Sequence, residues 1–236
     1  GPARWMEPRM TAGKRAFDLV VSILLLALLW PLLAALMLVL LAVEGRPVFY
    51  IAERMRTPHE AFGLIKLRTM RPAAYGTRAT GVTGGDKSAR MSRLHRLLRR
   101  SRADELPQLW NVIRGDISLV GPRPPLRIYV DAFPALYERV LRSRPGITGL
   151  ASLRYHATEE RLLAACRSPE ETDAVYRRRC VPRKAALDML YQRHASVGLD
   201  LWILAQTMRA VLRRRDGRML REAPAHSTRR VPANRD

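Results

Sequence analysis

The hydrophobic pattern is dominated by one run, Leu19 to Val43, that holds no charged residue. About 25 apolar residues in a row are long enough to cross a bilayer. The run exceeds a usual signal-peptide core and no A-x-A-like cleavage site follows it, so a retained, membrane-embedded segment is predicted. Pro31 sits in its middle, preceded by Trp30. A proline there removes one backbone donor and clashes with the carbonyl four residues earlier, which predicts a kink. Both flanks are basic: Arg9, Lys14 and Arg15 come before, and Arg46, Arg54 and Arg56 after. Basic flanks stay cytoplasmic, which pulls both ends to one side. Two readings stay open here: a re-entrant hairpin of helix, break and helix, and a kinked single-pass helix.

Beyond the run, the stretches Val48-Phe49-Tyr50 and Phe62-Gly63-Leu64-Ile65 read as two strands, or as a strand and a turn. Residues 71–88 are rich in Gly, Thr and Ala and read as a surface loop. From Met91 the pattern turns helical. Met91, Leu94, Leu97 and Leu98 share one face, and Arg90, Arg93, Arg96, Arg99 and Arg100 crowd the rest. Such a basic amphipathic helix suits a headgroup layer, or is simply solvated. Leu106, Leu109, Trp110 and Ile113 predict a second helix with Pro107 in its first turn. Prolines and Gly121 keep "ISLVGPRPP" extended. Further helices are expected around Val130–Leu141, over 158–180, and over 184–212 in one or two pieces. After Arg213 the chain is basic and Pro-containing, and is expected to be disordered.

Composition narrows the partners. The 236 residues suffice for one moderate domain with an anchor, and 42 Lys and Arg against 21 Asp and Glu give +21. That balance implies an anionic partner: nucleic acid, anionic lipid or a phosphorylated substrate. No helix-turn-helix or zinc pattern stands out and few aromatics interleave with the basic residues, so no nucleic-acid partner is expected. Cys166 and Cys180 make neither a disulfide framework nor a structural zinc site, which fits a reducing compartment. The leading Gly1-Pro2 reads as a protease-cleavage scar.

The densest chemistry lies in "LLRRSRADELPQLWNVIRGDISLVGPRP", where Asp104 and Glu105 stand between clustered arginines. If Pro107 lies in a first helical turn, Asp104 is near the N-cap, and plain capping is one reading, worth roughly 1 kcal/mol. A helix N-terminus also favours a phosphate. Neighbouring carboxylates can share a divalent cation while arginines hold a diphosphate.

These residues carry a resemblance. "KRAFDLVVS", "IKLRTM", "DELPQLWNVIRGDISLVGPRP" and "RPGITGL", with a looser "LDMLYQRHASVGLDLWILAQT", occur in the order seen in the monotopic polyprenol-phosphate phosphoglycosyl transferases, the bacterial sugar transferase family. The resemblance covers Lys14 to about Thr207. It implies an α+β, mainly helical fold: a re-entrant membrane helix over 14–45, a small cytoplasmic catalytic domain with short strands and interfacial helices over 46–212, and a basic tail over 213–236. It also implies transfer of a sugar 1-phosphate from a UDP-sugar to a polyprenol phosphate, at the cytoplasmic face of the bacterial inner membrane.

By the same resemblance Asp104 is the nucleophile, Glu105 aids metal binding or proton transfer, and Mg²⁺ is held by Asp104 and Glu105. Arg123, Arg99 and Arg68 would contact phosphate or lie near the site. Pro145, Gly146 and Thr148 would shape the nucleotide end, or form a purely structural turn. Lys14 and Arg15 would meet the headgroups of anionic lipids, Trp30 and Pro31 form the membrane break, and a homodimer is allowed. The sequence departs from the family at Trp30, at Ala52 and Arg56, at Arg102 and Ala103, and at Ser152, which leaves the sugar undetermined.

Overall fold

The computed structural model describes residues 10–70 and 91–219, with backbone alone over 213–219. Gly1-Pro2, Arg9, the loop expected over 71–88 and the end of the expected tail lie outside the described residues. Among the described residues the fold is mostly helical with four short strands.

Helix α1, Ala12–Glu44, is a single 33-residue element with Pro31 inside it. The expected break is therefore not an interruption of helical structure at Trp30-Pro31. Thr11 caps its start by accepting a bond from the Lys14 amide, and Gly45, at φ 69, ends it in the left-handed region that glycine tolerates. At about 1.5 Å per residue α1 is roughly 50 Å long. It is long and apolar enough to cross a membrane, and its large side chains from Val20 to Val43 are largely exposed. Both of its ends nevertheless pack on the rest of the chain. Phe17, Val21, Leu25 and Leu26 join a cluster with Leu109, Val112, Ile117 and Ile203. Leu33, Leu36, Met37 and Leu40 join another with Leu67 and Leu98.

Of the two readings open for this region, two strands is the one observed: β1, Phe49–Met55, and β2, Ala61–Leu67, pair as an antiparallel hairpin, with Phe49 opposite Leu67 and Met55 opposite Ala61. Helix α2 covers Arg93–Ser101, opened by a capping box between Ser92 and His95. Its inward face is Leu94, His95 and Leu98, whereas Leu97 is exposed. His95 displaces Leu97 because its Nε2 comes to 3.6 Å from a Glu44 carboxylate oxygen at the end of α1. Helix α3, Gln108–Arg114, buries Gln108, Leu109, Asn111 and Val112 and exposes Trp110. Counting Trp110 on the apolar face thus picks the wrong stripe, because Asn111 is needed inside.

Strand β3, Ser118–Val120, pairs in parallel with β4, Gly146–Thr148. The helix expected over Val130–Leu141 is two: α4, Arg127–Ala132, and α5, Pro134–Val140. Pro134 drives Phe133 out of helical geometry and divides them. Helix α6 starts at Leu150, ahead of expectation, and runs to Ala164; α7 covers Pro169–Val175 behind its Ser168 cap. A π-helical stretch, Tyr176–Cys180, leads into α8, Val181–His194, whose early Pro182 cannot donate. Helix α9, Val197–Met219, continues through the first seven residues of the expected tail.

Three glycines close the core. A Cβ on Gly146 would lie 2.2 Å from the Gly121 amide nitrogen, and one on Gly149 would lie 2.1 Å from the Gly121 carbonyl oxygen. No side chain fits between backbones that close. Gly146→Ala is therefore expected to cost about 3 kcal/mol or more. Gly13→Ala, with nothing within 4 Å of the new methyl, is expected to stay within about 0.5 kcal/mol of the wild type. Thermal unfolding of both variants in detergent, followed by circular dichroism, checks the contrast.

Candidate active site

Between α2 and α3 the chain turns sharply. Arg102 ends α2 at φ 56, and Ala103–Glu105 form one 3₁₀ turn. The turn points both acidic side chains inward, where Asp104 and Glu105 are 6 % and 9 % exposed. Asp104 does not cap α3: the position before that helix is Pro107, and no side chain caps it. The capping reading of the dyad is thereby replaced.

Four cations reach this turn. Arg123, just after β3, donates to Glu105 Oε1 at 2.8 Å. Lys66 of β2 donates to the same oxygen at 3.3 Å, and Arg102 reaches Oε2 at 3.4 Å. Arg99 of α2 feels the Asp104 charge and donates to Thr69 Oγ1 at 2.9 Å. Asn111 holds β2 in place for this purpose. Its amide nitrogen donates to the Gly63 carbonyl at 2.9 Å, and its oxygen accepts from the Ile65 amide at 3.0 Å.

The two carboxylates are pushed in opposite directions. Burial, followed by the adjacent Glu105 charge, raises Asp104 from 3.8 to about 6. Burial acts to raise Glu105 too, but Arg123, Lys66 and Arg102 overcome it and hold that carboxyl well below the usual range. Lys66 falls to about 8 through burial and the neighbouring Arg123. Among the described residues Asp104 accepts no hydrogen bond, whereas Glu105 is committed to three donors. Four cations face two carboxylates, so the site keeps an excess of positive charge that suits a phosphorylated ligand.

Residues 9–214 match the bacterial sugar transferase family. The chain belongs to that family. It is 35 % identical over 202 residues to the UDP-glucose:undecaprenyl-phosphate glucose-1-phosphate transferase of Caulobacter vibrioides, covering 84 % of this chain and 69 % of that protein. It is 33 % identical to the undecaprenyl-phosphate glucose phosphotransferase of Komagataeibacter xylinus, covering 83 % of this chain and 35 % of the relative. It is 28 % identical to the UDP-N-acetylgalactosamine-undecaprenyl-phosphate N-acetylgalactosaminephosphotransferase of Aeromonas hydrophila, over 84 % of this chain and 43 % of the relative.

In this bacterial sugar transferase several expected site residues do other work. Arg68 donates to the Glu44, Gly45 and Arg46 carbonyls and so binds the end of α1. Lys14 pairs with Asp18 and Asp200, and Arg15 donates to the Val112 and Ile113 carbonyls at the end of α3. Both basic side chains are turned into the protein rather than left for headgroups. Pro145, Gly146 and Thr148 belong to the β3–β4 contact: Pro145 accepts from the Ser118 amide and Thr148 Oγ1 lies 3.0 Å from Thr207 Oγ1. These contacts are those of a structural turn. Lys66, Arg102 and Asn111 are site residues that periodicity does not single out, although all three stand within or beside the quoted motifs.

Stability carries the mark of the dyad. The folded chain holds the Asp104 proton more tightly than the unfolded chain does, so ionising Asp104 opposes folding. That penalty grows as pH rises from about 4 through about 6 and is complete above. Glu105 acts oppositely, adding stability above its ordinary 4.5 that is lost as pH falls. Asp104→Asn is expected to unfold above the wild type at pH 7.5, by on the order of 2 kcal/mol, with the difference vanishing near pH 4. Melting curves across that range check it.

Proposed function

We propose that the chain transfers a sugar 1-phosphate from a UDP-sugar to a polyprenol phosphate, with Asp104 as the nucleophile. The observation that carries this is the asymmetry of the dyad. Glu105 is locked by Arg123, Lys66 and Arg102, while the Asp104 carboxylate has no hydrogen bond among the described residues and is raised to about 6. A carboxylate in that state is ionised at neutral pH and is not tied up by donors. Its oxygen attacks the phosphorus that carries the sugar, and the bond from that phosphorus to the bridging oxygen breaks. UMP leaves with that oxygen, and an acyl phosphate joins sugar phosphate to Asp104. A polyprenol phosphate oxygen then attacks the same phosphorus, the bond to Asp104 breaks, and the carboxylate is restored. Two steps spare the site from holding two anionic substrates at once.

Lys66, Arg99 and Arg123 orient and neutralise the phosphates around the attacked centre. Among the described residues no group of three or more His, Cys, Asp or Glu converges on a metal site. Mg²⁺ is commonly held by one or two carboxylates together with substrate phosphates and water. Asp104 fits that donor set, and Glu105 fits through lone pairs its cationic partners leave. Such an ion would neutralise diphosphate charge.

The points at which α1 is tied support a re-entrant membrane arrangement. Its start is bound by Lys14 to Asp200 and by Arg15 to α3, and its end by Arg68 to Glu44 and Gly45. A helix crossing the bilayer would carry its two ends to opposite faces, about 30 Å of hydrocarbon apart. Ends held by one body favour re-entry through a bend at Pro31 that leaves the helix unbroken, with both ends on the cytoplasmic side. The exposed Leu97 of α2 and Leu201, Trp202, Met208 and Leu212 of α9 suit helices lying in the interface, with Arg93, Arg96 and Arg100 toward anionic headgroups.

Asp104→Asn is expected to lower UMP release from UDP-sugars with undecaprenyl phosphate and Mg²⁺ by at least about 10³-fold. Wild-type release should rise with pH through about 6 as Asp104 ionises. Appreciable turnover by the variant would remove Asp104 from the nucleophile role. For topology, cysteines placed at Gly13 and Arg46 are expected to react with impermeant reagent from the cytoplasmic side only. Labelling of the two from opposite sides would exclude re-entry.

A further inference from the structure

A pocket of about 80 Å³ opens beside Arg123, between Tyr137 of α5, Tyr176 of the π-helical stretch, Glu159 of α6, and Lys184 and Asp188 of α8. Asp188 is only 7 % exposed, yet its carboxyl makes no hydrogen bond among the described residues. Lys184, one turn earlier on the same helix, is already committed. It donates to both Glu159 oxygens, at 3.1 and 3.0 Å, and to the Tyr176 hydroxyl at 3.3 Å. Buried polar groups in folded proteins are nearly always hydrogen-bonded. An acceptor left open in a pocket lining calls for a donor from a ligand.

Arg123 joins this pocket to the dyad, because it lines the one and bonds Glu105 of the other at 2.8 Å. A sugar nucleotide with its phosphates at the dyad would reach the pocket with one arm, either the sugar or the nucleoside. Neighbouring groups already occupy ring faces. Tyr129 and Tyr176 pack on each other at 4.7 Å, Arg177 lies 5.5 Å over Tyr129 and Lys184 lies 5.1 Å over Tyr176. A flat base gains its affinity largely from stacking. Beside the apolar Pro124, Leu126 and Val181, the pocket is faced by the Glu159 and Asp188 carboxylates, the Lys184 ammonium and tyrosine phenols, a mixed lining that matches a pyranose ring with apolar faces and hydroxyl-bearing edges.

We infer that this pocket receives one hydroxyl-bearing edge of the hexose ring of the sugar nucleotide, with Asp188 accepting from a ring hydroxyl or an acylamino N–H and so setting sugar preference. The inference rests on the transfer reaction proposed above and names the group that determines its substrate.

The test uses the whole chain in nanodiscs. Equilibrium binding of UDP, UDP-glucose, UDP-galactose and UDP-N-acetylglucosamine is compared for the wild type, Asp188→Asn and Glu159→Gln. The expected result is a loss of about tenfold for the preferred UDP-sugar, or a reordering among sugars, with UDP affinity held within about twofold. Equal weakening of UDP and the UDP-sugars would give the pocket to the nucleoside and overturn the inference. Unchanged binding of every ligand would overturn it as well. Should Asp188→Asn not fold, Glu159→Gln carries the same comparison. Binding needs no turnover, so sugar-selective loss without any UMP release would sink the transfer reaction and leave the pocket standing. UMP release with unaltered sugar preference in the variants would do the reverse.

Discussion

A carboxylate taken out of water is tolerated only where other groups replace its hydration. Glu105 meets that condition through Arg123, Lys66 and Arg102, which arrive from the segment after β3, from β2 and from the end of α2. The three attachments make Glu105 the point where separate elements are locked together. Its neighbour is left outside the lock. Asp104 bears the burial and the adjacent negative charge without a hydrogen bond among the described residues, and its proton affinity rises accordingly. The same cations that neutralise Glu105 are those a diphosphate would meet. Stability and the proposed phosphate recognition therefore draw on one set of side chains.

The rest of the fold keeps that lock in register. Asn111 joins α3 to β2, so the strand that carries Lys66 cannot slide relative to the helix that follows Glu105. Behind α3, the guanidinium groups of Arg15 and Arg144 satisfy carbonyls at its C-terminal end. Gly121, Gly146 and Gly149 let the β3–β4 backbones approach closely enough to deliver Arg123. The membrane helix is part of the same frame. Arg68 grips the end of α1 from the segment just after Lys66, and His95 meets Glu44 from the helix that carries Arg99. The anchor and the site thus share β2 and α2.

Motif order in the sequence carried the family and the dyad, and two short apolar stretches carried strands β1 and β2. Periodicity was less able to say which residues face inward. Trp110 is counted with the apolar face of α3, but Asn111 takes the interior because two backbone groups of β2 depend on it. Leu97 loses its place to His95 for a similar reason. Lys14, Arg15 and Arg68 show the limit for charge. A basic residue beside a membrane segment reads as a headgroup ligand, and nothing local reveals that Asp200 or a carbonyl near residue 112 will claim it. Nothing local marks Asp188 and Lys184, because their significance lies in which partners each one does and does not have.

What the sequence determined by itself was the chemistry available: an uninterrupted apolar run, an adjacent Asp and Glu, arginines on either side, and glycines and prolines at spacings that allow few backbones. Those are properties of composition, spacing and local sterics, which need no distant partner. Only the tertiary structure decided the distribution of roles. Glu105 became the fastened carboxylate and Asp104 the open one because three cations from distant segments converge on the first. Both ends of α1 met one body because buried charges must find partners, and those partners lie up to 186 residues away in the chain, at Asp200 for Lys14.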